Sequence, residues 1–89
     1  MLKPFRSNQF KRDVKLAEKR KKNLDKLDEI ILALVSEKKL PIKNRDHNLT
    51  GEYTGRRECH IEPDWLLIYK ISGDEIIFER TGSHSDLFK

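Results

Sequence analysis

Hydrophobic residues near the start of the chain recur at the three- and four-residue spacing of an amphipathic helix. Phe10, Val14 and Ala17 have this spacing, and charged residues occupy most positions between them. Ser7 or Asn8 can cap the helix by accepting a backbone hydrogen bond. The pattern predicts a first helix that ends in the basic run 19–22, where cations suit the carboxyl end of a helix.

A second helical stripe follows closely. Asn23 or Asp25 can begin the helix, and Pro41 prevents its continuation beyond about Lys38. Its apolar positions are Leu24, Leu27, Ile31, Leu34 and Val35, with Ile30 widening the stripe. The short connection predicts that the two helices form an antiparallel hairpin.

The second half of the chain is rich in β-branched and aromatic residues. Strands are predicted at residues 57–61, 65–71 and 75–81, separated by Pro63 and by a turn at residues 72–74. Strict alternation in the last strand places Ile76, Phe78 and Arg80 on one face and Glu75, Ile77, Glu79 and Thr81 on the other.

The order of these elements, two helices followed by three strands, is typical of the α+β class. We expect an N-terminal helical hairpin packed on one face of a twisted antiparallel sheet of three to four strands. The fourth strand would lie within residues 1–6, at an edge because of Pro4. Residues 1–89 are expected to be a single domain.

Charge is distributed unevenly along the chain. Residues 1–22 contain nine Lys or Arg and two Asp or Glu, whereas residues 51–89 contain five and eight. A basic segment on a mildly acidic remainder indicates an anionic partner: nucleic acid, an acidic protein or a membrane surface. A solvated Lys-rich helix face explains the same pattern without a partner.

Composition removes several classes of function. The single Cys59 excludes an internal disulfide and a cysteine-based zinc ribbon. Without a signal-peptide pattern or a long apolar run, we expect a cytoplasmic protein with no membrane contact. The chain has no Gly-rich phosphate loop and no G-x-S-x-G elbow, which disfavours nucleotide hydrolysis and serine catalysis.

All three histidines, His47, His60 and His84, occur in the second half in polar, turn-rich surroundings. Imidazole both accepts and donates a proton near neutral pH. Asp64 follows Pro63 directly, so its carboxylate and His60 can face the same edge of the sheet. These four residues are predicted to form a site for acid–base catalysis.

Metal-independent cleavage of RNA suits such a site on a basic chain. One group removes the proton of the 2′-hydroxyl and another protonates the departing 5′-oxygen, each contributing about 10²–10⁴-fold. A guanidinium can stabilise the charge on phosphorus, and an aromatic ring can stack on a base. The candidates for these RNA-binding roles are Arg56, Arg57, Arg80, Trp65, Phe88 and Tyr53.

Simpler interpretations of the same residues stay open. Each histidine can be a surface or core residue, Asp64 can cap a turn, and Trp65 can belong to the core. Zinc is the main chemical alternative, but histidine spacings of 13 and 24 residues lack the local pair typical of zinc enzymes. Neither a metal nor another cofactor is therefore expected.

Two non-enzymatic functions also explain the basic first segment. A nucleic-acid-binding module would bind RNA or DNA in a salt-dependent way without cleaving it. An interaction protein would dock an acidic partner and leave RNA unchanged.

Three motifs, in a fixed order and spacing, resemble a known family. They are D-H-x-L-x-G at residues 46–51, R-E-C-H-I-x-P-D-W at residues 57–65 and G-S-H-x-x-L-F at residues 82–88. With residues 12–20 and the rest of 46–69, they resemble the YafQ branch of the RelE superfamily of bacterial toxins over nearly the whole chain.

This resemblance implies a type II toxin–antitoxin toxin with the RelE-like microbial RNase fold. It implies an mRNA interferase, an endoribonuclease that cuts mRNA at the ribosome and so inhibits translation. The implied partners are mRNA, a cognate antitoxin and, only through the toxin–antitoxin complex, operator DNA. The functional positions that match are His47, His60, Asp64, Trp65, His84 and Phe88, with His60 and His84 as the proton-transfer pair.

Overall fold

A five-stranded sheet with two long helices on one face forms the fold in the computed structural model, which describes residues 1–88. The elements in chain order are β1 (Lys3–Arg6), α1 (Asn8–Lys19), α2 (Leu24–Val35), β2 (His47–Asn48), β3 (Arg57–Glu62), β4 (Trp65–Ser72), β5 (Glu75–Gly82) and α3 (His84–Leu87). Short 3₁₀ turns at Ile42–Asn44 and Gly51–Tyr53 flank β2.

Both long helices begin at the polar residues that the sequence predicts as caps. The Ser7 side chain accepts the backbone N–H of Phe10, and the Asn23 side chain accepts that of Asp25. Their apolar stripes cover one face of the sheet, where the core includes Phe10, Ala17, Leu27, Leu34, Trp65, Leu67, Tyr69 and Phe78. The predicted helical layer is confirmed.

The sheet has the strand order β1-β5-β4-β3-β2 and departs from the prediction in two ways. The two-residue strand β2 raises the number of strands to five, and β1 pairs with β5 in parallel, so the sheet is mixed. Hairpins force β3, β4 and β5 to be antiparallel, whereas β1 reaches β5 without a hairpin and has no such constraint. Its edge position tolerates Pro4.

A β-bulge interrupts the pairing of β4 with β5. Ile68 lies opposite Arg80, but the next residue, Tyr69, lies opposite Phe78. Glu79 is therefore an extra residue with no partner of its own on β4. Such an insertion reverses the facing of every side chain that follows it.

Because of this bulge, Arg80 and Thr81 lie on the faces of β5 opposite to those predicted. Thr81 accepts the indole N–H of Trp65 at 3.0 Å and lies on the helix-covered face, while Arg80 lies opposite Ile68 on the other face. Strict alternation had placed Arg80 with Phe78 and Thr81 away from it, which is wrong because alternation assumes a strand without a bulge.

The face of the sheet away from α1 and α2, which we call the open face, has a small core of its own. It consists of Leu66, Ile68 and Leu87, with Leu49 and Tyr53 packed against it. The short helix α3 packs on this face through Leu87. Among the described residues, no helix is long and apolar enough to cross a membrane.

Candidate active site

Cross-strand pairing places two histidines in adjacent rows on the open face. His47 of β2 pairs with Glu58 of β3, which pairs with Ile68 of β4. In the next row, His60 pairs with Leu66. Directly paired residues point to the same side of a sheet. Glu58 and both histidines therefore share the open face with the small core.

His84 reaches this face from α3. The helix begins with a capping box, in which the Ser83 side chain accepts the backbone N–H of Asp86 and the Asp86 carboxylate accepts that of Ser83. Arg20 donates to Asp86 at 2.6 Å and connects α3 to α1. These contacts hold the His84 ring with its centroid 5.7 Å from that of His60.

Asp64 orients His84 through two contacts of one carboxylate oxygen. Its Oδ1 accepts the backbone N–H of His84 at 2.9 Å and lies 2.6 Å from the ring Nδ1. A carboxylate only accepts, so Nδ1 carries a proton and Nε2 is the nitrogen left for a substrate. The backbone N–H, followed by the ring, lowers the pKa of Asp64, which is therefore ionised at neutral pH.

Glu58 is a buried carboxylate between the other two histidines. Its Oε2 lies 3.5 Å from Nε2 of His47 and its Oε1 lies 3.6 Å from Nε2 of His60. Only 8% of its side chain is exposed. Nδ1 of His47 bonds the backbone oxygen of Arg45 at 2.7 Å, which leaves Nε2 facing Glu58. The carboxylate thus faces the Nε2 atoms of both rings.

The structure brings the four predicted catalytic residues into one connected cluster. His47 and His60 flank Glu58, His84 faces His60, and Asp64 contacts His84. Sequence reasoning did not single out Glu58. The signal available for it was alternation, because residues 58 and 60 share a face of the predicted strand.

Comparison with known proteins identifies the family of the chain. The family model for the bacterial toxin YafQ of type II toxin–antitoxin systems matches residues 2–89. The mRNA interferase toxin YafQ of Escherichia coli K12 is 46% identical over 83 residues, which cover 92% of this chain and 90% of that protein. The chain belongs to the YafQ toxin family.

Solved structures support membership of the family. The E. coli DinJ–YafQ complex contains a chain that superposes with a TM-score of 0.93 at 42% identity, with 100% of both chains covered. A metal-bound toxin from Helicobacter pylori superposes with a TM-score of 0.92 at 38% identity and covers 99% of this chain and 100% of that one. The RelE-like α+β fold expected for the family is confirmed.

Two aromatic rings border the histidine cluster on the side of α3. Phe88 and Tyr53 pack edge to face with centroids 5.4 Å apart, and the Tyr53 hydroxyl donates to the backbone oxygen of Leu87 at 3.3 Å. Phe88 is 39% exposed. This exposure allows the ring to stack on a base, and the base-stacking role of Phe88 stays a prediction.

Two of the predicted RNA-binding arginines are paired with carboxylates. Arg56 donates to Glu79, the extra residue of the bulge. Arg80 lies opposite Ile68 on the open face, but its Nε donates to Asp13 of α1 at 2.8 Å. This bond raises the pKa of the Arg80 guanidinium. Both guanidiniums keep further N–H donors for a phosphate, since each has five.

The structure does not bring the other two RNA-binding candidates to the open face. Arg57 lies opposite Tyr69 on the helix-covered face and donates to Asp46 at 3.2 Å and to Asn48 at 2.8 Å. Trp65 is 1% exposed and its indole N–H is bonded within the core. In this arrangement neither side chain can reach a base or phosphate at the histidines.

The cluster also has the donors of a metal site. One ligand atom each from Glu58, His60 and His84 lie within 4.8 Å of one another. Imidazole and carboxylate are ligands that zinc and copper accept, so the donor set fits such an ion. Cys59 is not a donor here, because burial raises the pKa of its thiol to about 12 and keeps it protonated.

Proposed function

We propose that this chain is an mRNA interferase that cleaves mRNA by metal-independent acid–base chemistry through the 2′-hydroxyl. The observation that carries the proposal is the pair of facing imidazoles, His60 and His84, each beside its own carboxylate, Glu58 or Asp64. Two such groups are what a concerted proton removal and proton delivery at one phosphodiester require.

The reaction conserves protons within the site. One imidazole takes the proton of the 2′-hydroxyl as its oxygen attacks phosphorus. The bond from phosphorus to the 5′-oxygen breaks, and the other imidazole protonates that oxygen. The products are a 2′,3′-cyclic phosphate and a 5′-hydroxyl end, and transfer of one proton between the rings or through water resets the enzyme.

The remaining residues of the site support this transfer. Asp64 holds His84 in the tautomer with Nε2 free, and Glu58 orients His60 and His47. His47 is half exposed and can contact a phosphate oxygen. Phe88 positions the base beside the scissile bond. Arg56 and Arg80 are each paired with a carboxylate and keep further N–H donors for phosphate oxygens.

A metal-assisted mechanism is the second candidate, supported by the donor set of Glu58, His60 and His84. A bound metal ion would polarise a phosphoryl oxygen or activate a water molecule. The two candidates make opposite predictions for purified protein. Acid–base cleavage survives EDTA, and added zinc or copper inhibits it by occupying the imidazoles. A metal-dependent enzyme loses activity in EDTA and regains it with the ion.

The test in cells is a map of RNA ends after induction of the wild type or His84→Ala. We expect new ends within mRNA and growth arrest only with the wild type. His60→Ala and His84→Ala are each expected to lower cleavage by about 10²–10⁴-fold while the fold is kept. Full toxicity of both variants contradicts the acid–base proposal. RNA binding without new ends supports a non-catalytic module.

The partners follow from the substrate and the family. The E. coli relative forms a complex with DinJ, and we propose a cognate antitoxin for this chain as well. Cleavage is proposed to occur on ribosomes in the cytoplasm, where translated mRNA is held single-stranded. Contact with operator DNA is proposed to come from the antitoxin within the complex. Co-expression of the neighbouring antitoxin gene should abolish the new RNA ends.

A further inference from the structure

A cavity of about 380 Å³ opens beside His60, and neither His84 nor Phe88 is among its lining residues. Its walls come from the segment that precedes β2 and from the end of β3. The lining residues are Lys43, Asn44, Arg45, His60, Ile61, Glu62 and Pro63. Asn44 fixes the two walls to each other, because its side-chain N–H donates to the backbone oxygen of His60 at 2.7 Å.

Two cations line this cavity without a carboxylate partner. Among residues 1–88, neither Lys43 nor Arg45 has an Asp or Glu oxygen within 4.0 Å, whereas Arg20, Arg56, Arg57 and Arg80 are all paired. Both side chains are exposed. Arg45 also belongs to the site, because its backbone oxygen holds the ring of His47.

The one carboxylate in the cavity wall is already neutralised. Glu62 lies 3.2 Å from Nζ of Lys22 and 3.0 Å from Nζ of Lys26, and these two bonds lower its pKa. The cavity therefore keeps the net positive charge of Lys43 and Arg45. Ile61 and Pro63 add an apolar wall that can take the flat face of a sugar or base.

We infer that this cavity is a nucleotide subsite, in which Lys43 and Arg45 bind the phosphate next to the scissile one. The inference rests on the proposed function, since it presumes that the RNA crosses His60. Phe88 follows His84 in the chain and does not line the cavity, so an RNA strand that runs from Phe88 past His60 into the cavity is held on both sides of the cleaved bond. Such clamping positions the phosphodiester between the imidazoles.

The test uses a short single-stranded RNA around a mapped cleavage position, with a 2′-deoxy nucleotide there to prevent cleavage. One phosphate at a time is replaced by a neutral methylphosphonate, and affinity is measured by fluorescence anisotropy. For the wild type, neutralising one phosphate adjacent to the cleaved bond should weaken binding about tenfold. In Lys43→Gln/Arg45→Gln, the same replacement should change affinity by less than about twofold.

Salt dependence gives a second readout of the same contacts. Each lost phosphate contact reduces the slope of log affinity against log salt by about 0.7 for a single strand. Because Lys43 and Arg45 are proposed to bind one phosphate, the double variant should have a slope smaller by about 0.7. Lys38→Gln/Lys39→Gln is the matched control, because these exposed lysines line a different cavity, near Asp46 and Arg57.

Several outcomes overturn the inference. They are an RNA that does not bind the wild type, a double variant that keeps the methylphosphonate effect, or a control that loses as much affinity as the double variant. Cleavage of the all-ribose RNA, free and on ribosomes, is scored in parallel. Its absence with the wild type contradicts the proposed function, whereas retained phosphate discrimination in the double variant contradicts the subsite alone.

Discussion

At the residue scale, Glu58 is central to the site, because its carboxylate lies between His47 and His60. Burying a charged carboxylate costs free energy unless the charge is paired. Only 8% of the Glu58 side chain is exposed, and a histidine lies on either side of it. Glu58→Gln keeps the volume and removes the charge. We expect it to lower single-turnover cleavage by about 10²-fold without loss of folding, because neither His47 nor His60 is then oriented by an anion.

Glu52→Gln is the control for this change, since Glu52 is an exposed glutamate in the turn that precedes β3. It should cleave at the wild-type rate. If Glu58→Gln also does, Glu58 is a structural residue and the imidazoles act without it.

Trp65 has a structural role in this fold, although the family motif places it among the functional positions. The indole N–H bonds Thr81, and Thr81 in turn donates to the backbone oxygen of Leu66. Trp65→Phe removes the donor and reduces the buried volume. We expect the free energy of unfolding to fall by about 1–3 kcal/mol, measured by urea denaturation.

Cleavage per folded molecule should stay near that of the wild type in Trp65→Phe. A variant of unchanged stability that loses RNA affinity would instead support base stacking by Trp65. Phe88→Ala is the useful comparison, because the partly exposed ring should affect RNA affinity, while loss of its contact with Tyr53 should lower the free energy of unfolding by only about 0.5–1.5 kcal/mol.

At the scale of elements, α3 is a single helical turn that positions His84, one of the two proposed proton-transfer residues. It is fixed by its capping box and by the bond from Arg20 to Asp86. Arg20, followed by the backbone N–H of Ser83, lowers the pKa of Asp86 well below its usual range. A carboxyl group with a lowered pKa in the folded state stabilises the protein above its usual pKa near 4 and loses that effect as pH falls.

Arg20→Ala should therefore lower the melting temperature at pH 7, and the difference from the wild type should shrink as pH falls below about 4. Arg12→Ala is the control on the same helix, because the Arg12 side chain donates to Gln9 and not to a carboxylate among residues 1–88, and it should show neither effect. A difference that stays constant down to pH 2 would mean that Arg20 acts through packing and not through the charge of Asp86.

The helices and the three long strands could be predicted from the sequence, whereas β2 and the bulge could not. The helices followed from their apolar spacing, and the β3–β4–β5 meander followed from β-forming runs separated by turns, because both signals are local. Strand β2 has only two residues, too few for a pattern. The bulge at Glu79 depends on the pairing of β5 with β4, which the sequence of β5 alone does not contain. Alternation along β5 therefore predicted the wrong face for Arg80.

The candidate site shows the same limit. His47, His60, Asp64 and His84 were recognised by residue type and motif, but their meeting depends on register. Arg57 and Trp65 belong to the same motif as His60 and still lie on the other face, engaged in the fold itself. The sequence identifies side chains that can transfer protons or bind phosphate. Strand pairing then determines which of them lie on the same face of the sheet.

At the scale of the whole molecule, the sheet separates two basic surfaces. The histidines and the cavity at Lys43 lie on the open face or at its edge, whereas the exposed lysines of α1 lie in the helical layer on the opposite side. The end of α1 adjoins α3, because Arg20 donates to Asp86, but the exposed lysines of α1 face away from the sheet. We therefore expect a short RNA held at His60 not to contact them. The basic first segment is then either a solvated helix face or a contact for a partner larger than the cleaved strand.

Lys11→Gln/Lys15→Gln/Lys19→Gln tests this separation, since all three side chains are exposed on α1. We expect cleavage of a short free RNA to change less than about twofold at 0.15 M salt, where charges more than about 8 Å apart are largely screened. Cleavage of mRNA in a translating extract should fall much further if α1 binds ribosomal RNA. Equal losses in both assays would place α1 on the path of the substrate strand and contradict the separation of the two surfaces.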